Sequence, residues 1–182
     1  MAITAKATCV CCAFILLWCP VQLDFIVQDR SLREKVVETF KDEVGVSEVG
    51  GDNQGERVTQ YLNATGLDAG YAWCAAFAAW GFNQHDIDNP ESAWSPDWFP
   101  DSNNIFKRGH YDKKEWKPGD VEAIYFQSKG RIAHMGVIEK VKDDVIISIE
   151  GNTNDHDSRE GDEVMRKRRY KRQVYAVARY IF

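Results

Sequence analysis

Cys74 is the residue of this sequence best placed to act as a nucleophile. It lies in an alanine-rich run with almost no charge, Tyr71–Asn83, which predicts a helix buried on most sides. Near a helix N-terminus, free amide groups and a partial positive charge stabilise a thiolate, and a thiolate attacks carbonyl carbon. The alternative interpretation is structural, because free cysteines often pack in cores as small hydrophobic residues. Catalysis by Cys74 therefore needs a base from elsewhere in the chain.

His134 is the strongest candidate for that base. It lies in the middle of a predicted strand, where alternation places Ile132, His134, Gly136 and Ile138 on one face. A glycine next to it on that face leaves space for another group to approach, although a hydrogen-bonded core histidine would give the same pattern. The other histidines lie in polar segments that favour solvated side chains: His85, His110 and His156.

The following strand ends in polar residues that could orient the imidazole. A short turn at Asp143-Asp144 returns the chain beside the histidine strand, and the returning strand ends Ile149-Glu150-Gly151-Asn152. Either Glu150 or Asn152 could then accept a hydrogen bond from the His134 ring and stabilise its charged form. No cluster of His, Cys and Asp shows metal-ligand spacing, so we expect neither a metal nor a cofactor.

The elements that must position these residues separate into helices first and strands afterwards. Helices are predicted at Leu32–Val44, Glu56–Asn63 and Tyr71–Asn83, and Asp88–His110 is predicted to be a long loop. Beyond residue 120, β-branched runs with a period of two predict an antiparallel meander. Its strands are Val121–Ser128, Arg131–Val141 and Val145–Glu150. Two more strands joined by Lys171-Arg172 follow, Glu163–Tyr170 and Gln173–Phe182. This order is typical of an α+β fold in one domain.

Composition limits the class of protein. The 182 residues are 44% hydrophobic and 28% charged, which fits a globular domain and excludes a disordered or fibrous chain. The net charge of −5 argues against a nucleic-acid partner. A basic run at residues 166–172 could bind anions, but we favour a solvated face of a strand pair. Cysteines other than Cys74 all lie between residues 9 and 19, which excludes a disulfide framework in the body of the chain.

Residues 1–20 have the features of an export signal. Lys6 precedes an apolar run, Ala7–Trp18, that has the length of a signal-peptide core and is too short to span a bilayer as a helix. We predict a signal peptide, or a lipoprotein signal lipidated at Cys19, with an apolar first helix or a misplaced start codon as alternatives. The protein would then be exported, periplasmic or extracellular, or attached to a membrane through this segment.

Several motifs together carry a resemblance to a known family. They are Trp73-Cys74 at a helix start, Lys117-Pro118-Gly119-Asp120 before a strand, the His-x-Gly-x-Ile strand at His134, the Glu-x-Asn strand end at Glu150, and the upstream stretch Gly45–Gly55. In this order they resemble the CHAP family of cysteine- and histidine-dependent amidohydrolases and peptidases, papain-like peptidoglycan hydrolases of bacteria and phages. The resemblance extends from about Leu32 to Phe182. It implies an α+β, papain-like fold of the NlpC/CHAP type as a single domain over residues 30–182, with N-terminal helices packed on a five- to six-stranded antiparallel sheet.

The resemblance also implies roles for individual residues. Cys74 would be the nucleophile, His134 the general base, Glu150 the orienting residue and Asn152 a further polar member of the site. The reaction would be hydrolysis of a peptidoglycan amide bond through a cysteine thioester, by a muramoyl-L-alanine amidase or an endopeptidase of stem or cross-bridge peptides. Three tryptophans are assigned to substrate binding, with positions in the core as the alternative: Trp73, Trp94 and Trp98.

Two other functions stay open from the sequence. A protein with this fold could bind the cell wall without catalysis, or it could be an interbacterial amidase toxin encoded beside an inhibitor or immunity protein. For the hydrolase, we expect peptidoglycan as the substrate and a monomeric protein.

Overall fold

The computed structural model describes residues 32–155 and 161–182 of the chain. The helices of this part come first: α1 over residues 32–42, α2 at Glu56–Asn63 and α3 at Cys74–Asn83. The strands follow: β1 Asn104–Lys107, β2 Tyr111–Asp112, β3 Val121–Phe126, β4 Arg131–Lys142, β5 Val145–Thr153, β6 Glu163–Tyr170 and β7 Ala176–Ala178. The predicted export signal at residues 1–20 and His156 lie outside the described residues.

The strands form one antiparallel sheet in the order β2-β1-β7-β3-β4-β5-β6. Strands β3 to β6 pair in the order of the sequence. The predicted meander over β3, β4 and β5 is confirmed, because short turns bring each of these strands back beside the preceding one. Strand β7 then crosses to the far side of the meander and pairs with both β3 and β1. The α+β class with helices on an antiparallel sheet is therefore confirmed.

The sheet has seven strands, against the predicted five to six. The additional strand β1 lies inside Asp88–His110, a segment whose sequence predicts a loop. Its short sequence has no clear alternation, and it becomes a strand because it can pair with the open edge of β7. The predicted last strand, Gln173–Phe182, is shorter than expected because a 3-10 turn at Lys171–Gln173 precedes it and only Ala176–Ala178 pairs in the sheet.

Helix α3 is the central helix of the molecule. Eight of its 10 residues are buried, as expected for a helix without charge. Two glycines permit close packing around it. A Cβ at Gly81 would lie 2.2 Å from the ring of Phe40 in α1, and a Cβ at Gly151 would lie 2.7 Å from the ring of Trp73. Helix α3 is thus held closely between α1 and strand β5, which fixes where its N-terminus lies.

The apolar side chains form a cluster on each face of the sheet. The larger cluster contains α3, Phe40, Tyr61 and Val137, and the smaller one contains Ile105, Trp116 and Ile138. Val137 and Ile138 are neighbours in β4, so their side chains point to opposite faces of the sheet. Burial on both faces restrains β4, the strand that carries His134, along most of its length.

Candidate active site

Cys74 is the first residue of α3, and its thiol is a free, nearly buried group that is 7% exposed. The Sγ atom lies 3.5 Å from the hydroxyl of Ser95, in a 3-10 turn at Ser95–Trp98. The His134 side chain is close enough to act on the pKa of the thiol. The first amide groups of a helix have no partner within the helix. The thiol therefore lies beside unpaired backbone donors at the positive end of α3.

His134 lies between Cys74 and Glu150. Its Nε2 atom is 2.7 Å from Glu150 Oε2 in the neighbouring strand β5, and both side chains are buried, His134 at 9% exposure and Glu150 at 0%. Because Nε2 is taken by the carboxylate, Nδ1 is the ring nitrogen left for the thiol. The structure thus brings Cys74, His134 and Glu150 together, with His134 hydrogen-bonded to Glu150 and close enough to Cys74 for each to shift the pKa of the other.

Gly136 makes room for the carboxylate. A Cβ at this position would lie 2.5 Å from Glu150 Cγ and 3.1 Å from the carbonyl oxygen of Ile149. The first distance is shorter than real Cβ contacts, and the second is tighter than most of them. The glycine of the His-x-Gly motif is therefore required by the site: it leaves the space over β4 through which Glu150 reaches the histidine.

The electrostatics of the three groups favour an ion pair. Burial alone would raise the pKa of the Cys74 thiol, but the hydrogen bond and charge of His134 lower it below its usual value. Burial would lower the pKa of His134, but hydrogen bonds with Cys74 and Glu150 raise it to about 10. Burial opposes ionisation of Glu150 as well, yet His134 and Arg169 hold its pKa well below the usual range. The shifts of all three groups are in the direction that favours a thiolate, an imidazolium and a carboxylate.

Arg169 is a member of the site that sequence reasoning missed. Its guanidinium, on β6, donates to both carboxylate oxygens of Glu150, with Nε 2.7 Å from Oε1, and Ser148 donates to the same oxygen at 2.7 Å. From the sequence, the basic run around Arg169 is predicted to be a solvated face. Strand alternation could have divided that run, since Arg166 and Arg168 are exposed while Arg169 is only partly exposed and faces Glu150.

Glu122 is a second carboxyl group in the same cluster, and it too was missed. It is fully buried on β3, and neither of its oxygens has a hydrogen-bond partner in the described part of the chain. Its nearest cation is Arg169, at 4.0 Å from Nε to Oε1. Burial and then the charge of Glu150 raise the pKa of Glu122 to about 8, so it is mostly protonated at neutral pH.

Asn152 takes a different place from the imidazole. Its Oδ1 accepts a hydrogen bond from the backbone N–H of Trp73 at 3.3 Å, and its Nδ2 donates to Glu48, Asn53 and, at 2.6 Å, to the carbonyl of Gly161. Asn152 is thus bound to the backbone just before Cys74, whereas Glu150 is bound to His134. Of the two candidates for orienting the ring, the geometry favours Glu150.

A pocket of about 490 Å³ is lined by Cys74 and by one of the three tryptophans that were predicted to bind substrate. Trp94 lines this pocket and is 50% exposed. Trp73 and Trp98 are 0% exposed, so their assignment to substrate binding is wrong. Trp73 stacks on Tyr61 and donates to Glu48 Oε1 at 2.7 Å, and Trp98 packs edge-on against Tyr180.

Residues 32–155 and 161–182 contain no group of three or more His, Cys, Asp and Glu side chains arranged to hold a metal ion. In the same residues, no helix has the length and apolar character needed to cross a membrane.

Comparison with known proteins gives a match over the segment that contains Cys74, His134 and Glu150. Residues 66–152 match the family model of the CHAP domain. This segment, somewhat less than half of the chain, is similar to a CHAP domain. The match begins just before helix α3 and ends within β5, so it includes Cys74, His134, Glu150 and Asn152. The CHAP match supports a cysteine amidohydrolase or peptidase of the peptidoglycan-hydrolase type. Arg169 lies beyond the matched residues.

The chain is also similar to a solved structure, an NlpC/P60 family protein from Bacillus cereus ATCC 10987. The two are 18% identical with a TM-score of 0.45, and the similarity covers 82% of this chain and 40% of that one. This chain thus spans less than half of that protein. No curated protein matches the chain.

Proposed function

We propose that the chain hydrolyses an amide bond of peptidoglycan through a thioester on Cys74, as a muramoyl-L-alanine amidase or as an endopeptidase of stem or cross-bridge peptides. The observation that carries the proposal is the position of His134 beside Cys74, hydrogen-bonded to the buried Glu150, at a pocket that Cys74 lines. The CHAP match supports the same class of reaction. A buried thiol without a base beside it would have favoured the structural interpretation instead.

The first half of the reaction forms the thioester. The Cys74 thiolate attacks the amide carbonyl, and the oxygen that becomes negative is stabilised by backbone N–H groups at the start of α3. The imidazolium of His134 gives its proton to the departing amine as the C–N bond breaks. The raised pKa of His134 keeps that proton available near neutral pH.

The second half releases the product. His134, now neutral, takes a proton from water, and the hydroxide attacks the thioester carbonyl. The C–S bond breaks, the carboxylic acid leaves, and the thiolate–imidazolium pair forms again. Throughout, Glu150 holds the ring through Nε2 and stabilises its charged form, and Arg169 fixes the carboxylate from behind.

The test is digestion of purified peptidoglycan by the full chain and by three variants. We expect Cys74→Ala and His134→Ala to abolish clearing while circular dichroism stays unchanged. His110→Ala, which removes an exposed histidine, serves as the matched control and should keep full activity. Mass spectrometry of the digest then identifies the cleaved bond and so distinguishes amidase from endopeptidase. Undiminished clearing by Cys74→Ala would overturn the assignment of the nucleophile.

A simpler measurement tests the reactivity of the Cys74 thiol. An ion-paired Cys74 should react with iodoacetamide well below pH 8, because the thiolate is the reacting form. A non-catalytic wall-binding protein with a structural thiol would show no such reaction in its folded state.

A further inference from the structure

The pocket beside Cys74 carries a positively charged wall. Arg131, the first residue of β4, and Lys129, in the preceding turn, both line it. The guanidinium of Arg131 lies 3.9 Å from the ring centroid of Trp94 and donates through Nη1 to the carbonyl of Ile132 at 2.8 Å. Stacking and this hydrogen bond hold the guanidinium in place, which lowers the entropy that a further interaction would cost.

Neither cation is neutralised within the described residues. Many other basic side chains of the molecule pair with carboxylates, for example Arg166 with Glu139 and Arg57 with Glu43. Arg131 and Lys129 form no ion pair in residues 32–155 and 161–182. Glu91, whose carboxylate also lines the pocket, accepts a hydrogen bond from Asn83 instead.

The position of Arg131 sets the distance at which it could act. It precedes His134 by three residues on the same strand, about 10 Å at the usual rise of a strand. An extended peptide advances by a similar amount per residue. A group bound at Arg131 would therefore be about two or three residues from the bond that Cys74 attacks.

We infer that this wall is a subsite for a carboxylate of the substrate, so that the preferred peptide carries an acidic residue two or three positions from the bond that is cleaved. The inference rests on the proposed function, because it takes Cys74 as the reacting atom. Arg131 presents the planar fork of donors that suits a carboxylate, and Lys129 adds a second positive charge. Trp94 acts as a support for Arg131 and packs on the apolar part of the peptide.

The test uses capture of the thiol rather than digestion of peptidoglycan. Two probes are compared on the full chain, iodoacetyl-Gly-Glu-amide and its neutral match iodoacetyl-Gly-Gln-amide, with the alkylation of Cys74 followed by mass spectrometry. The acidic probe should react about fivefold faster at low salt, and the difference should nearly vanish in 1 M salt. Cys74→Ala shows the background of unspecific labelling.

Variants assign the preference to the wall. Lys129→Gln/Arg131→Gln should bring the two rates within about 1.5-fold of each other, and Arg131→Lys should keep part of the preference because it keeps the charge. The matched control is Arg172→Gln, which removes an exposed arginine that also stacks on an aromatic ring, Tyr170, outside this pocket. If the double variant is less stable, the same comparison of the two probes is made with Lys129→Gln alone, which should reduce the preference for the acidic probe.

The outcomes separate this inference from the proposed function. Equal rates with the two probes in the unmodified protein, or a preference that survives in the double variant, overturn the carboxylate subsite even if peptidoglycan is cleared. A preference that depends on the wall, in a protein that clears no peptidoglycan, supports the subsite and overturns the proposed substrate.

Discussion

Replacing Gly136 by alanine should abolish most of the activity without unfolding the protein. The added Cβ would lie 2.5 Å from Glu150 Cγ, whereas ordinary carbon contacts begin near ~3.5 Å. Glu150 must therefore move by about 1 Å, or the strands must separate locally. The backbone cannot absorb this easily, because Ile149 O, 3.1 Å away, lies on the same side.

Two magnitudes follow from this displacement. Overpacking of a buried position of this kind costs about 1–3 kcal/mol of unfolding free energy. The bond of 2.7 Å between His134 and Glu150 would lengthen toward the limit of a hydrogen bond, and a misplacement of about 1 Å in catalytic geometry costs roughly 100-fold in rate. The protein should thus stay folded, because a loss of about 1–3 kcal/mol is smaller than the usual stability of a domain, while its rate falls about 100-fold.

The assay compares Gly136→Ala with Gly109→Ala. Gly109 has a left-handed φ of 75°, and no atom lies within 4 Å of the place that an alanine Cβ would take, so alanine there costs backbone strain of about 1 kcal/mol without touching the site. Urea unfolding and peptidoglycan clearing are measured for both. If the two variants lose similar stability and only Gly136→Ala loses activity, the space over β4 is needed for catalysis. Full activity of Gly136→Ala would refute the requirement for Glu150 at this position.

Three further predictions concern the residues around Cys74 and His134. Glu122→Gln should remove a pH dependence of the free energy of unfolding. The pKa of Glu122 is about 8 in the folded protein and 4.5 ordinarily, so between pH 4.5 and 8 the carboxyl group ionises only on unfolding and the protein loses stability as pH rises. Urea unfolding should show that the stability of the variant, relative to the original protein, increases over that range. Glu150→Gln should raise the pH at which iodoacetamide labels Cys74, because a less stable imidazolium stabilises the thiolate less; an unchanged labelling profile would contradict the role of Glu150. Asn152→Ala should lower the free energy of unfolding by about 1–2 kcal/mol and reduce peptidoglycan clearing. It should leave the pH profile of Cys74 labelling unchanged, because Asn152 binds the backbone of Trp73 and not the imidazole. A shifted profile would show that Asn152 acts on the His134 ring instead.

The sequence was most informative where the chemistry is local. A charge-free run predicted α3, and β-branched alternation predicted the meander that brings His134 beside Glu150. Both patterns are read from neighbouring residues, because a helix or hairpin is decided by contacts close along the chain. The motifs around Cys74 and His134 then pointed to the CHAP domain that the family match also indicates.

The burial of the tryptophans could not be predicted from the neighbouring sequence. Trp73, Trp94 and Trp98 have the same chemistry and lie within a short stretch, yet only Trp94 faces the pocket. Which of them is buried depends on what α2, β5 and the C-terminal residues bring against them, and those segments lie far away in the chain. No local pattern carries that information.

The sequence by itself determined the helix of Cys74, the strand of His134 and the class of the fold. Only the tertiary structure decided what surrounds the histidine. Arg169 and Glu122 lie 35 residues after and 12 residues before His134 along the chain, and they meet Glu150 because β3 and β6 belong to one sheet on either side of β4 and β5. Packing across strands thus sets the charge of the site, since a buried carboxylate or imidazole takes its protonation from groups that only the folded sheet brings near.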